Sequence, residues 1–145
     1  MVEERASGVI VLTQPGGHIE SGESPQDAVV REAMEESACE IAVSGLLGVY
    51  LWIQPQTRRQ YLRIVYTAAL VREHSNSRQL DDGIFAVHWY SVADIKHRNK
   101  DLRTPVVLRC IEDYLAGKRQ SEDLLAGMMP IQQHVSAVMA NAHLV

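Results

Sequence analysis

Gly16-Gly17-His18-Ile19-Glu20-Ser21-Gly22-Glu23-Ser24-Pro25-Gln26-Asp27-Ala28-Val29-Val30-Arg31-Glu32-Ala33-Met34-Glu35-Glu36 opens as a glycine turn and closes as a carboxylate cluster. The middle of the stretch marks a helix start. Ser24 can cap, Pro25 suits the first helical position, and Asp27 falls three residues after the cap. The pattern predicts a helix from there to about Ala38. At about 100° per residue, Ala28, Glu32, Glu35 and Glu36 share an arc of roughly 100°, and Val29, Val30, Ala33 and Met34 take the other side. The helix is expected to put that second side into a core and to present three glutamates on the first.

Like charges three and four residues apart repel, by a few tenths of a kcal/mol (~0.2–0.5) for each exposed pair. No lysine offsets them, and the one nearby cation is Arg31. A solvated acidic face is the ordinary explanation for such a cluster. A hard divalent cation is the alternative, because Mg²⁺ takes carboxylate oxygens and keeps waters that phosphates can replace. The Gly16-Gly17 turn allows close backbone approach and offers a carbonyl as a further ligand. The spacing is not that of an EF-hand.

The rest of the chain narrows the class. Its 145 residues suggest one domain, and 46% apolar with 22% charged residues is an ordinary globular composition. The net charge of -4 gives no basic field, so a nucleic acid polymer is not expected as partner, whereas a small nucleotide is compatible. Cys39 and Cys110 have no CxxC spacing, which argues against a disulfide scaffold or a zinc site and makes a reducing compartment, the cytoplasm, the default. The first residues are acidic, with no secretory signal visible, and no apolar run approaches a membrane span.

Strands are expected at 8–12, 41–43, 48–53, 60–71 and 85–91, with a polar turn at 54–59 closing a hairpin. Residues 73–82 read as a polar loop. A short helix is expected at 92–96, and a longer one at 105–116 closed by Gly117. Residues 131–144 read as a last helix or a tail. The order gives an α/β (α+β) domain with helices on a mixed or antiparallel sheet, spanning 1–120, and 121–145 as its C-terminal helix or tail.

The spacing Gly17, five residues, Glu23, seven residues, Arg31-Glu32-Ala33-Met34-Glu35-Glu36 resembles the Nudix box of the Nudix hydrolase superfamily. Six key positions agree, with a chance of roughly 10⁻⁷ per window from average composition. One position departs: the family's glycine after the helix is Ala38 here. Further stretches, Leu12 to Glu20, Tyr50 to Ile53, Tyr61 to Arg63 and Leu102 to Val107, are similar to small bacterial phosphatases of the family.

The resemblance implies an α/β/α sandwich around a mixed sheet and hydrolysis of diphosphate-linked small molecules. It makes Glu32, Glu35 and Glu36, with the carbonyl of Gly16 or Gly17, the ligands of Mg²⁺ or Mn²⁺. Arg31 and Glu23 become the pair that orients turn and helix. The general base is Glu32 or Glu36, or else Asp82 in a later loop, where Asp81-Asp82 is equally readable as a plain polar turn. Arg63 is placed to meet phosphate, and Gln14 and His18 lie beside the metal turn, although a surface histidine is the commoner case. Tyr50 and Trp52 either stack on a heterocycle or belong to the core, with one of them expected in the core. The family carries a strand before the equivalent of residue 1, so the N-terminal strand is either lacking or supplied otherwise, and the first alternative leaves an edge that a second subunit could cover. Substrates implied are nucleoside di- and triphosphates or thiamine-pathway diphosphates. The competing readings are a pyrophosphatase for oxidised nucleotides and a non-catalytic nucleotide-binding domain.

Overall fold

A computed structural model describes residues 1–6, 8–74 and 79–128. Of the two alternatives for the N-terminal strand, its lack is corrected by the structure, because the first residues themselves form a strand. Residues Val2–Ala6 form strand β1, which lies between β2 (Val9–Thr13) and β5 (Ile84–Val87) in a three-stranded sheet. Both pairings are antiparallel, with Val2 opposite Thr13 on one side and Val87 on the other. Charged Glu3, Glu4 and Arg5 disguise this strand in the sequence; its alternation still buries Val2 completely.

Helix α1 (Pro25–Ser37) begins at the expected cap. The Ser24 hydroxyl accepts from Asp27 N at 3.1 Å, and the Asp27 carboxylate accepts from Ser24 N at 3.4 Å. Its packing corrects the expected division of faces. Ala28 and Ala33 are buried as apolar residues, yet Val30 is 39% exposed and Glu32 only 8% exposed. The helix thus turns a glutamate inward. After Ser37 the chain leaves the helix through Ala38, whose φ of 53° is left-handed, with its N–H donating to Met34 O at 3.0 Å.

The two short strands expected between 41 and 53 are one strand, β3 (Cys39–Ile53), paired antiparallel along its length with β4 (Gln60–Glu73). Register shifts near Val43–Gly45 and Leu46–Gly48 absorb the breaks that made the segment read as two pieces. Strand β5 is shorter than expected and stops at Val87. Two more α-helices follow among the described residues, α2 (Val92–His97) and α3 (Pro105–Leu115). Among the described residues every strand ladder is antiparallel, and parallel pairing is confined to the single Leu12–Leu102 bridge. The architecture is α+β as expected. The residues of 131–144 lie outside those described.

Leu47, Val106 and Cys110 form a buried cluster between β3 and α3, and Tyr50, Trp52 and Val65 pack on it. Leu12, pinned by Arg103 N donating to its carbonyl at 2.9 Å, fixes the end of β2 from which the glycine turn leaves. No helix among the described residues is long and apolar enough to cross a membrane.

Candidate active site

The glycine turn and α1 are locked together by one arginine. Arg31 Nε and Nη2 donate to the two Glu23 oxygens at 2.8 and 3.0 Å, and Nη1 donates to Glu32 at 2.8 Å and Glu35 at 2.7 Å. Its Nη2 also reaches the His18 carbonyl at 3.0 Å. A guanidinium has enough donors in a fixed fork for this set; an ammonium does not. The partners hold Arg31 charged well above its ordinary range, chiefly through the Glu23 hydrogen bonds, and those bonds in turn lower the Glu23 carboxyl.

Two further contacts bring the turn onto the carboxylates. Gly16 N donates to Glu36 Oε2 at 2.9 Å. A Cβ placed on Gly17 would stand 2.3 Å from Glu32 Oε1 and 2.7 Å from Oε2, so only glycine lets the backbone come this near. Burial pushes the Glu36 carboxyl up to about 7; the charges of Glu32, Glu4 and Asp81 add to the rise and the Gly16 N–H opposes it.

Among the described residues no three His, Cys, Asp or Glu side chains converge as a ready metal site. The reason is visible: Arg31 draws Glu32 and Glu35 to itself, and Glu36 is turned to Gly16. The donor set nevertheless suits a hard cation. Three carboxylates lie on one helix, the turn is shaped to the Glu32 carboxylate by a missing Cβ, and Glu36 sits among like charges that raise its proton affinity. Glu32, Glu35 and Glu36, with the Gly16 carbonyl, are the residues that would hold it.

A cleft of about 600 Å³ runs from this turn, and Gln14, Gly16, Gly17, His18, Glu32 and Arg63 all line it. Arg63 is half-buried there and, among the described residues, is in no ion pair. Burial, then the nearby Arg103 charge, lowers its affinity for a proton, while Glu4 and Glu36 act the other way. Gln14 Nε2 donates to Val107 O at 3.4 Å, and the His18 side chain is exposed. Tyr50 and Trp52 do not line the cleft. Both pack on the α3 cluster, where Tyr50 donates to Asp113 at 3.2 Å and Trp52 lies 5.6 Å from the Tyr61 ring. Asp82 is exposed in the turn before β5; that turn meets α1 through Asp81 N donating to Glu35 O at 3.2 Å, and Asp81 is the residue whose charge reaches Glu36.

Glu4 and Arg103, paired at 2.6 Å, are neighbours of this site that the sequence reading did not single out. The period of two places Glu4 on the same face of β1 as buried Val2, and that alternation is the signal that would have found it.

The profile of the NUDIX domain matches residues 3–110. This chain belongs to the NUDIX family. The protein named Phosphatase NudJ from Escherichia coli strain K12 is 27% identical over 125 residues, covering 86% of this chain and 80% of its own. The protein of the same name from Shigella flexneri matches equally. Among solved structures, a NUDIX hydrolase from Nitrosomonas europaea is 40% identical with a TM-score of 0.79, covering 86% of this chain and 84% of that one. The Nudix hydrolase fold, and enzyme action on phosphoanhydride-type bonds, therefore hold for this chain.

Proposed function

We propose that this Nudix hydrolase is a divalent-metal-dependent phosphatase acting on nucleoside di- and triphosphates or thiamine-pathway diphosphates. The observation that carries the reading is the Arg31 fork, which gathers Glu23, Glu32 and Glu35 against the glycine turn at a cleft lined by Arg63, which is in no ion pair among the described residues. Bound Mg²⁺ or Mn²⁺ supplies charge neutralisation at phosphate oxygens and a lowered pKa for the attacking water.

The chain's own residues do the rest. Arg31 fixes the carboxylates, and Gly17 leaves room for Glu32 beside the turn. Glu36, held beside the glycine turn by the Gly16 N–H, is the first choice for taking the proton of the water. Glu32 and Asp82 are the other two candidates for that step. Arg63 faces the phosphate, and Gln14 and His18 edge the same turn. Tyr50 and Trp52 pack on the α3 cluster and take no part in the cleft wall. Residues 1–120 form the catalytic unit in this reading, and the buried free Cys39 and Cys110 suit a cytoplasmic enzyme. A homodimer joined through the β3–β4 ribbon is part of it, motivated by Leu51 and Leu62, paired across the strands and 60% and 62% exposed.

Product analysis on a panel of diphosphates and triphosphates with Mg²⁺ or Mn²⁺ tests the proposal. Orthophosphate is the expected product. Pyrophosphate from triphosphates, oxidised ones above all, would instead assign a sanitising pyrophosphatase. Tight nucleotide binding without turnover in either metal would assign a binding domain.

A further inference from the structure

A cleft of about 600 Å³ falls in the range of sites that hold a whole small molecule, not phosphates alone. The glycine turn, Glu32 and Arg63 account for its phosphate-bearing part. Another part of its wall comes from α3 and the turn after it, through Ile111, Tyr114 and Arg119. Tyr114 is 49% exposed, and the Arg119 guanidinium lies over its ring, 4.6 Å from the centroid.

That arginine is held in place by its neighbours. Lys118 donates through its N–H to Asp113 O at 3.0 Å and through its ammonium to the Asp113 carboxylate at 2.8 Å. Gln120 N donates to Leu46 O at 2.9 Å, and Arg119 Nη1 itself donates to Lys118 O at 2.6 Å. Tyr114 is fixed by the helix. A guanidinium and an aromatic ring from different positions thus lie together at the cleft wall. An exposed cation–π pair contributes only about 0.5–1 kcal/mol, so an incoming flat group can replace it at little cost.

We propose that Tyr114 and Arg119 form the subsite for the group attached to the diphosphate, and that this group is a planar heterocycle such as a nucleobase or another pyrimidine. The heterocycle stacks on the Tyr114 ring, and the guanidinium becomes its outer plane. This subsite rests on the diphosphate-hydrolase reading for its purpose, and it does the work that Tyr50 and Trp52, packed against the α3 cluster and outside the cleft lining, are not placed to do.

The test uses the full chain and the variants Tyr114→Leu, Tyr114→Phe and Arg119→Gln, each checked for an unchanged melting profile. Calorimetry measures AMP binding, and kinetics compare ADP with isopentenyl diphosphate, which has no ring. Tyr114→Leu is expected to weaken AMP about tenfold and to raise KM for ADP by the same factor at constant kcat. Isopentenyl diphosphate is expected to stay within about twofold, Tyr114→Phe to restore AMP binding, and Arg119→Gln to weaken AMP less than Tyr114→Leu does. AMP affinity that neither Tyr114→Leu nor Arg119→Gln moves, equal effects on both diphosphates, or no AMP binding by the wild type would overturn the subsite. AMP binding that responds to Tyr114→Leu in a chain that turns over no diphosphate would defeat the hydrolase reading and leave the subsite standing.

Discussion

Ala38 occupies the place where the family's box has glycine, and it adopts the left-handed conformation that glycine takes without strain. A non-glycine residue there costs roughly 1–2 kcal/mol. Ala38 is also buried, so removing its methyl forfeits about 0.8 kcal/mol of burial. The strain outweighs the burial by a small margin. Ala38→Gly is expected to raise the melting temperature slightly and leave kcat/KM unchanged; a clear drop in thermal melting would refute the strain argument. Glu36 gives the pH dependence. Its carboxyl is raised from 4.5 to about 7, so without metal the folded state holds more protons than the unfolded state across that window. Its contribution to stability is therefore present below pH 4.5 and lost as pH rises through about 7. Glu23 and Asp113 are held below their ordinary values and titrate beneath that window. In EDTA, thermal melts from pH 5 to 8 should fall more steeply for wild type than for Glu36→Gln, and parallel curves would sink the assignment.

At the scale of elements, α1 is organised by Arg31 more than by its apolar face. Arg31→Lys keeps the charge but cannot reach Glu23, Glu32, Glu35 and the His18 carbonyl together. Misplacing the carboxylates by about an ångström is expected to lower kcat roughly a hundredfold. Circular dichroism should show an intact helix, because the Ser24–Asp27 cap is untouched; near-wild-type kcat would show that the fork does not position the site. The start of α1 was legible in the sequence because capping is local hydrogen bonding within a few residues. β1 was not, since its charged residues mask an alternation that shows only once the neighbouring strands are in place. Tyr50 and Trp52 show the same limit. A period of two puts them on one face of β3, but only α3 decides that this face is core.

At the scale of the whole molecule, the fold brings together residues no spacing could connect: Glu4 from β1, Glu36 from α1, Asp81 before β5 and Arg103 before α3. The box residues were readable because they follow one another along one turn and one helix. Their long-range neighbours were not, because they depend on which strands pair. In the proposed function, the box carboxylates run metal-dependent hydrolysis of a diphosphate. Glu36→Gln tests it most directly, assayed for orthophosphate release from ADP with Mg²⁺ or Mn²⁺ beside wild type, with AMP binding measured on both. The expected result is metal-dependent release by wild type and a loss of about a hundredfold or more in kcat for the variant, with AMP still bound. Release at the wild-type rate by Glu36→Gln, or full wild-type turnover in EDTA, would contradict it.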